Sequence, residues 1–584
     1  TFPRTPLDFT AELLIGGAWV DITDDVRISS GVQIGRGKPD ETGQTPPSQC
    51  SFVLDNRGGK YSPRNPLGDY YGEIGRNTQL RIIAEGSSRF YGEVPAWPAH
   101  WDTSANDAWV TVTANGILRR INQGDQPATS SYRGYLLSTT PITYWPLTDG
   151  TTSTRGTAAA GTYQVGGFGG VFGKAVYNFG IGDLGEYLPA GLRINDLVPA
   201  AGADFLQGFC LGSDPAPDSL AWEFVYKVAA GDDGSDMSAW TFRATVNGTT
   251  AGTFDRWELR FRPDGTNDDI QIALTLDPLG DSPTDIVLAD SAALTALTDG
   301  ALHHVRMQVT VNGTGVDYVV YVDGVSVISG TRTTHTLRAH YDISIFYNRL
   351  GVEDLLALGH LIVWENLANI PAIGSTSTSA AAYAGEAAHT RFARLCDEAG
   401  ISRQVIGTES YAMGEQFEDY FANQLAEIEA TDGGMLYEAR DSMALIYATV
   451  SGLYNKATGV TLDYSAGHLA PGLSPVVDDF GVHNDVFAQR REGGSYQATL
   501  ESGALSIQDP PDGVGRYKHE QQVNLETDAL LPAVAGWLLH RGTVDEPRYP
   551  TVTVNLAQTA VSGHATLPFD LMDADVGDVL VITG

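Results

Sequence analysis

The sequence predicts a mainly β protein with a smaller α component. Short runs of β-branched and aromatic residues, each closed by Gly, Pro, Asn or Asp, fill most of the chain up to residue 370. Gly 66 and Pro 28 are scattered without a period, which is typical of a β-rich chain with many turns. Helical periodicity becomes prominent after residue 380. Because 584 residues are too many for one core, we expect about three to five domains.

Residues 1–128 are predicted to form a β-rich domain. Its clearest strands are QCSFVLDN, TQLRIIAEG, SRFYGEVPAW and AWVTVTANG. Between the first two lies DNRGGKYSPRNPLGDYYGEIGRN, which is too irregular for a strand and which Tyr61, Tyr70 and Tyr71 are expected to order. A loop this long in a compact domain usually has a function, and at a subunit junction it would contact a neighbour.

Three further boundaries follow from composition. Residues 129–142 read as a connector with one short helical turn, and residues 143–372 form a second β-rich block that opens with ITYWPLTDG. The Ser/Thr-rich segment IGSTSTSA, residues 373–380, is predicted to be a linker. Residues 381–584 should then form α+β domains.

Three helices are expected in residues 381–584. They correspond to AAAYAGEAAHTRFARLCDEAG, QFEDYFANQLAEIEATDGG and DALLPAVAGWLLHRG, whose apolar residues recur at helical spacing. MLYEARDSMALIYAT should form a hairpin that turns near Asp441 and Ser442, and TVTVNL a strand. DADVGDVLVITG is strand-like up to Gly584, so we expect the natural chain to continue.

The chain is strongly acidic. Lys+Arg 36 against Asp+Glu 71 gives a formal net charge of −35, which excludes coating DNA or an anionic membrane by charge. Acidity of this size is either a solubility device or the wall of a channel through which nucleic acid passes without sticking. Composition alone does not choose between them.

Cysteine usage and hydropathy exclude several protein classes. Cys50, Cys210 and Cys396 are far apart, lack zinc-ligand spacing and imply no disulfide framework. Cys50 and Cys396 are expected to be small core residues. The sequence contains no apolar run of about 18 residues, so no membrane span is predicted. The segment TFPRTPLDFTAELLIG does not resemble a signal peptide.

The middle block carries the most specific pattern. GGVFGKAVYNFGIGDLGEYLPAG places apolar residues among glycines, and ALHHVRMQVTVNGTGVDYVVYVDGVSV combines a His303–His304–Val305 run with turns at Asn312–Gly313 and Asp323–Gly324. This order resembles laminin-G-like (concanavalin-like) jelly rolls, although Leu302 stands where that family usually has Trp. The resemblance implies an inserted antiparallel β-sandwich, closed by aromatic residues of its first and last strands. The apolar residues concerned and the two closing tryptophans are Phe172, Val176, Phe179, Leu184, Tyr187, Trp145 and Trp364.

Sandwiches of this family bind glycans or proteins, in some cases through calcium. Asp264, Asp268 and Asp269 in RPDGTNDDI are possible oxygen ligands, but the same residues are ordinary in a hairpin turn. Trp222, Trp240 and Trp257 are possible sugar-stacking residues, but Trp222 and Trp257 alternate within strands and are better explained as core. We therefore assign no metal, cofactor or ligand-binding residue from the sequence.

The flanking regions resemble tail-tip hub proteins of actinobacterial siphophages. The resemblance rests on motifs in a fixed order, from RFYGEVPAWP and PITYWPLTDG through AGEAAHTRFARLCDEAGI to HNDVFAQRREGG. It implies β-barrel-type hub domains in a homotrimer that joins the distal tail protein and tail tube to tip or fibre proteins and forms part of the DNA conduit. The chain would belong to the virion after synthesis in the host cytoplasm, with its sandwich contacting a host surface glycan.

No catalytic motif is complete. GGFGGVFGKAV has Phe168 and Ala175 where a phosphate-binding loop requires Gly and Ser or Thr. The sequence lacks HExxH, GxSxG and the alternating carboxylates of concanavalin-like glycosidases. The sequence therefore predicts a structural component without enzyme activity. Two alternatives stay open: a stand-alone glycan-binding adhesin or receptor-binding tail protein, and the hub of a contractile injection particle.

Overall fold

A computed structural model describes most of the chain. The described residues are 7–38, 43–104, 106–123, 130–153, 155–168, 175–185, 187–196, 204–228, 240–248, 252–262, 268–278, 283–297, 299–347, 356–470, 473–556 and 569–584. The chain divides into two compact units. The first contains Thr1–Pro127, Gly385–Gly414 and Tyr420–Gly584, and the second contains Ala128–Ala384 and Glu415–Asp419.

The first unit begins with an antiparallel sheet in the order β2-β1-β5-β6-β8-β4-β3, with β7 paired to β8. Its strands are β1 (Phe9–Ile15), β2 (Ala18–Asp21), β3 (Gln33–Gly35), β4 (Gln49–Asp55), β5 (Thr78–Ala84), β6 (Ser87–Val94), β7 (Ala99–Trp101) and β8 (Ala108–Asn115). Alternate residues of β4 and β8 are buried, as period-two patterning requires. All four strands predicted here are confirmed.

This sheet is open, and the barrel that the family resemblance implied is not formed. Strands β2 and β3 lie at its two ends, and no pairing between them exists among the described residues. The predicted irregular loop between β4 and β5 is confirmed, and Tyr61 anchors it in the core beside Ile74. A barrel needs matched stagger around the whole ring, which strand patterning alone does not specify.

The rest of the first unit is mixed α and β. Its helices are α1 (Leu118–Ile121), α4 (Ala388–Glu398), α5 (Phe421–Asp432), α6 (Val450–Tyr454) and α7 (Leu531–Gly542). Its strands are β25 (Ser402–Ile406), β26 (Met435–Glu438), β27 (Ala444–Ala448), β28 (Thr458–Asp463), β29 (Asp485–Arg490), β30 (Ser495–Thr499), β31 (Lys518–Val523) and β32 (Val579–Thr583). The hairpin β26–β27 is confirmed.

Two predictions for this region need correction. The first two expected helices begin later than predicted, at Ala388 and Phe421. TVTVNL forms no strand among the described residues. Its alternation is compatible with a strand, but no described neighbour pairs with it in register.

The second unit is a two-sheet antiparallel sandwich. One sheet has the order β10-β11-β14-β23-β16-β17-β18-β19, and the other has the order β12-β13-β24-β15-β20-β21-β22, with β9 paired to β24. We call them the open-faced sheet and the covered sheet. The unit contains α2 (Ser131–Ser138), β9 (Thr143–Trp145), β10 (Arg155–Gly156), β11 (Val165–Phe168), β12 (Ala175–Gly182), β13 (Gly191–Asp196), β14 (Asp204–Phe209), β15 (Ser219–Val228), β16 (Trp240–Asn247), β17 (Phe254–Arg262), β18 (Asp269–Leu276), β19 (Thr284–Asp290), β20 (Leu302–Asn312), β21 (Gly315–Val322), β22 (Val325–Arg332), β23 (His340–Tyr347), β24 (Leu356–Glu365) and α3 (Ile373–Ala380).

Large aromatic side chains fill the space between the two sheets. Trp222 and Trp257 are fully buried and Trp240 is 3% exposed, so the core interpretation of these tryptophans is confirmed. Trp145 on β9 pairs with Leu361 on β24, which also carries the buried Trp364. The first and last strands of the block therefore lie side by side. All three cysteines are buried and free, and burial raises the pKa of the Cys50 and Cys396 thiols to about 12.

The connector and the linker both prove to be part of the sandwich. Within 129–142, residues 131–138 form α2, in which Tyr132 and Leu136 are fully buried. Residues 373–380 form α3, in which Thr376 and Ser379 are buried. Ser and Thr are mediocre helix formers, so the sequence predicted a linker. Tertiary contacts override that preference here.

Candidate functional site

Side chains of the open-faced sheet alternate between the core and the outside. Ile343 and Ile345 belong to the core. Asp342, which precedes them, and Ser344, which lies between them, therefore point outward. The strand neighbours of Arg243, Glu258 and Arg260 also belong to the core, so these three side chains point outward as well. The outer face is polar, yet several of its side chains are more than nine-tenths buried.

One end of this face holds an aromatic–carboxylate cluster, which consists of Gln207, Phe209, Phe254, Tyr341 and Asp342. The Tyr341 ring lies 4.7 Å from the Phe254 ring and 5.8 Å from the Phe209 ring, measured between centroids. Sheet register places Phe209 directly opposite Asp342. All three rings are half-buried, so each keeps part of its surface in solvent.

Asp342 is the polar centre of the cluster. Its side chain accepts a hydrogen bond from Gln207 Nε2 at Oδ2, whereas Oδ1 is buried and has no partner among the described residues. Asp342 is only 6% exposed. A buried carboxylate oxygen without a donor is costly, so a hydroxyl or N–H group that reached it through a shift of the surrounding side chains would be stabilised.

Beyond the cluster the outer face carries a ladder of ion pairs. Glu258 forms an ion pair with Arg243 at 2.8 Å and accepts a hydrogen bond from Arg260 at 2.7 Å, and Arg260 also donates to Asp285 at 2.8 Å. Burial lowers the pKa of Arg243. Burial also opposes the charge of Arg260, but hydrogen bonds to Asp285 and Glu258 outweigh it and raise the Arg260 pKa. The charges of the ladder are therefore paired with one another.

Of the three possible calcium ligands, the structure describes Asp268 and Asp269, and these two belong to no metal site among the described residues. Asp264 lies outside the described residues, and Asp269 is paired with Arg262 at 2.7 Å. Asp268 has a positive φ of 30°, which is characteristic of a turn. Among the described residues, no group of three or more His, Cys, Asp and Glu side chains is arranged to hold a metal.

Helices α2 and α3 cover part of the outer face of the covered sheet, over β15 and β20. Glu223 lies there, fully buried beneath α2 and α3. It accepts hydrogen bonds from Tyr132 Oη at 2.6 Å and Arg306 Nε at 2.6 Å, while His304 Nε2 lies 2.7 Å away. Arg306 also donates to Pro371 O and Thr376 Oγ1, at 2.7 and 2.8 Å. The buried carboxylate of Glu223 therefore ties α2 to the sheet, and Arg306 ties α3 to it.

The two histidines of the sequence motif have structural partners. His303 lies between Asp323 at 2.7 Å and Asp299 at 2.9 Å. Burial opposes its charge, but these two carboxylates outweigh burial and raise the His303 pKa. Burial likewise disfavours the charge of Glu223, yet His304 and Arg306 lower its pKa to about 2. The motif thus orders the Asp323–Gly324 turn and the sheet beneath the helices.

The sequence interpretation missed the aromatic–carboxylate cluster. A signal was present, because HYDISIF alternates polar and apolar residues and so places Asp342 and Ser344 on one face of a strand. Phe209 and Phe254 belong to distant strands. Only the sheet order brings them to Tyr341.

Comparison with known proteins identifies no family. No family model and no curated protein matches the chain. Solved structures that match include the binding domain of botulinum neurotoxin DC in complex with rat synaptotagmin II, with 11% identity, a TM-score of 0.28 and coverage of 42% of this chain and 52% of that one. Another is the Emp46p carbohydrate recognition domain in its potassium-bound form, with 9% identity, a TM-score of 0.23 and coverage of 30% and 83%.

The chain spans about half the length of the neurotoxin structures that it matches. At these TM-scores the similarity carries no argument about function. The description of the sandwich above rests on its own strand order and register. No described helix is long and apolar enough to cross a membrane.

Proposed function

We propose that this protein is a non-enzymatic attachment component of a phage tail tip whose sandwich binds a host glycan. The aromatic–carboxylate cluster carries the binding part of the proposal, because it combines partly exposed rings with a buried carboxylate oxygen that has no hydrogen-bond partner among the described residues. Sugars present the complementary surface, with apolar C–H faces and hydroxyl donors at their rims.

The cluster favours a neutral sugar. Asp342 Oδ1 accepts hydrogen bonds, so it suits hydroxyl donors and repels carboxylate or phosphate substituents. The formal charge of −35 disfavours anionic polymers further. A single shallow contact of this kind is weak, and several copies on one particle would convert it into avidity.

The binding test uses the full chain and a set of immobilised neutral polysaccharides, with surface plasmon resonance as the readout. Asp342→Asn and Tyr341→Ala should each weaken binding about tenfold or more. Asp317→Asn is the matched control, since Asp317 is exposed on β21 of the covered sheet. Binding that is equally strong in wild type, D342N and Y341A would contradict the glycan proposal.

The tail-tip setting rests on the ordered motifs that flank the sandwich. In this proposal the first unit forms part of a homotrimeric ring at the end of the tail, between the distal tail protein and the tip or fibre. The acidic wall suits a DNA conduit because it offers phosphates little to bind. Images of native particles test it: the chain should lie on the tail axis in rings of three or a multiple of three. A peripheral fibre position would favour the stand-alone adhesin.

A further inference from the structure

A large open cavity lies in the first unit beside the loop that joins β4 to β5. Its volume is about 1020 Å³. Three arginines and two indole rings stand out in its wall: Arg57, Arg64, Arg76, Trp97 and Trp101. The proposed glycan site does not include it.

The loop that forms the wall is firmly anchored. Tyr61 is fully buried, and its hydroxyl donates to Asp25 Oδ2 at 2.5 Å, the same oxygen that Lys60 reaches at 2.7 Å. The Asn56 side chain accepts from Tyr61 N at 2.8 Å and donates to Ser62 Oγ at 3.0 Å. The cavity is therefore preformed, and little ordering is needed for a ligand to enter.

Two positive charges in this wall are uncompensated. Arg57 is paired with Asp55, whereas Arg64 and Arg76 are exposed and form no ion pair with any described residue. Trp97 donates from Nε1 to Gly75 O at 2.7 Å, and Trp101 is 65% exposed. Cationic groups beside aromatic faces suit an acidic segment that also carries compact apolar rings.

We infer that this cavity binds the acidic turn Asp509–Pro510–Pro511–Asp512 of a second copy of the chain. Two copies with a formal charge of −35 repel each other, so an interface that sets a cationic patch opposite carboxylates is favoured over one that does not. The inference rests on the assembly part of the proposed function and is independent of its glycan part.

The turn has the complementary chemistry. All four residues are exposed, and neither carboxylate forms an ion pair among the described residues. Asp512 N donates to Asp509 O at 3.1 Å, so the two aspartates flank one tight turn. They would meet Arg64 and Arg76, while the proline rings would pack on Trp97 and Trp101, since aromatic-lined grooves accept proline.

The test measures association of the full chain by sedimentation velocity at low and high ionic strength. Arg64→Gln with Arg76→Gln should weaken association at low salt about tenfold or more, and Asp509→Asn with Asp512→Asn should do the same. Arg155→Gln with Arg338→Gln is the control, because it removes two positive charges elsewhere and should leave association unchanged.

A charge exchange adds a stricter test. Arg64→Asp and Arg76→Asp combined with Asp509→Arg and Asp512→Arg in one chain should restore association that either pair alone abolishes. Association that is insensitive to R64Q/R76Q would overturn this contact and leave the assembly proposal standing. A chain that stays monomeric at every concentration and ionic strength would overturn both the contact and the assembly proposal. The polysaccharide-binding assay tests the glycan proposal independently.

Discussion

Glu223 shows how a buried charge can serve architecture. Its two oxygens are shared among Tyr132, His304 and Arg306, so the carboxylate joins α2 to β15 and β20. Arg306 extends the connection to α3 through Thr376 and lies over the Trp364 ring at 5.4 Å. Glu223 is fully buried and Arg306 is 1% exposed, so these contacts are made inside the protein.

Removing one partner of this cluster should be costly. In Glu223→Gln, Arg306 loses its buried counter-charge, and we expect the free energy of unfolding of the sandwich to fall by about 3–5 kcal/mol. Urea unfolding followed by tryptophan fluorescence measures this. Arg262→Met is the matched control, because the Arg262 side chain is 36% exposed in its ion pair with Asp269. This substitution should lower the free energy of unfolding by less than about 1 kcal/mol. Equal effects in the two variants would contradict the architectural role.

Buried histidines make the sandwich sensitive to acid. Burial lowers the pKa of His340 to about 4 and of His360 to about 3, so both stay neutral in the fold while the unfolded chain protonates them below about 6.5. Stability is therefore full above pH 6.5 and falls as the pH drops toward 4. His303 acts in the opposite sense, because its pKa is raised.

The net effect should be a loss of about 1–3 kcal/mol of unfolding free energy between pH 7 and pH 5, measured by urea unfolding. His303→Gln removes the opposing group, so its loss over the same range should be steeper than that of the wild type. A flat profile in both proteins would show that the histidines are not kept neutral.

At the scale of elements, the turns of the covered sheet are defined by backbone conformation. Asp323 and Gly324 have φ values of 49° and 80°, which suits a two-residue hairpin between β21 and β22. Gly313 in the preceding turn has φ 61° and open space around it. Gly315 at the start of β21 instead faces the backbone of Arg332 and Thr333.

These two glycines give a matched pair of variants. Gly313→Ala should cost about 1 kcal/mol, because only left-handed backbone strain is added. Gly315→Ala should cost about 3 kcal/mol, because its Cβ would lie 2.7 Å from the Thr333 carbonyl carbon and the hairpin must open. Thermal unfolding of both variants measures the difference. A larger loss in G313A than in G315A would contradict this account.

Much of the element structure was accessible from sequence, and particular residues show why. Alternation in β4 and β8 and the Asn312–Gly313 and Asp323–Gly324 turns are local signals, and each was predicted. Helix α3 was not, because Thr376 and Ser379 favour a helix only when Arg306 and the sheet lie beneath them. The aromatic–carboxylate cluster depends on sheet order across more than 100 residues of chain, which no local pattern encodes.

At the scale of the whole molecule, helices α2 and α3 determine which deletion boundaries remove the second unit as a whole. Removing residues 143–372 takes away the sheet that buries Tyr132 and Leu136 of α2 and Thr376 of α3. Removing residues 130–383 takes away the sheet together with both helices. The second boundary pair matches the compact unit more closely.

We therefore expect the longer deletion, closed with a short Gly/Ser linker, to leave a folded and soluble first unit. The shorter deletion should expose apolar residues and aggregate. Light scattering of the purified variants compares them. Under the proposed function, the longer deletion should allow tail assembly but reduce adsorption to the host. Failure of assembly would show that the sandwich has a structural role in the tail.

The pairing of β9 with β24 has a mechanical consequence. The two strands run antiparallel, with Thr143 opposite Val363 and Trp145 opposite Leu361, so both chain connections leave the sheet at the same end. Traction on those connections would peel hydrogen bonds apart one after another instead of shearing them together. Arg306 contacts Pro371 and Thr376, which follow the last residue of β24 along the chain. These contacts would bear the first of the force when the two connections are pulled.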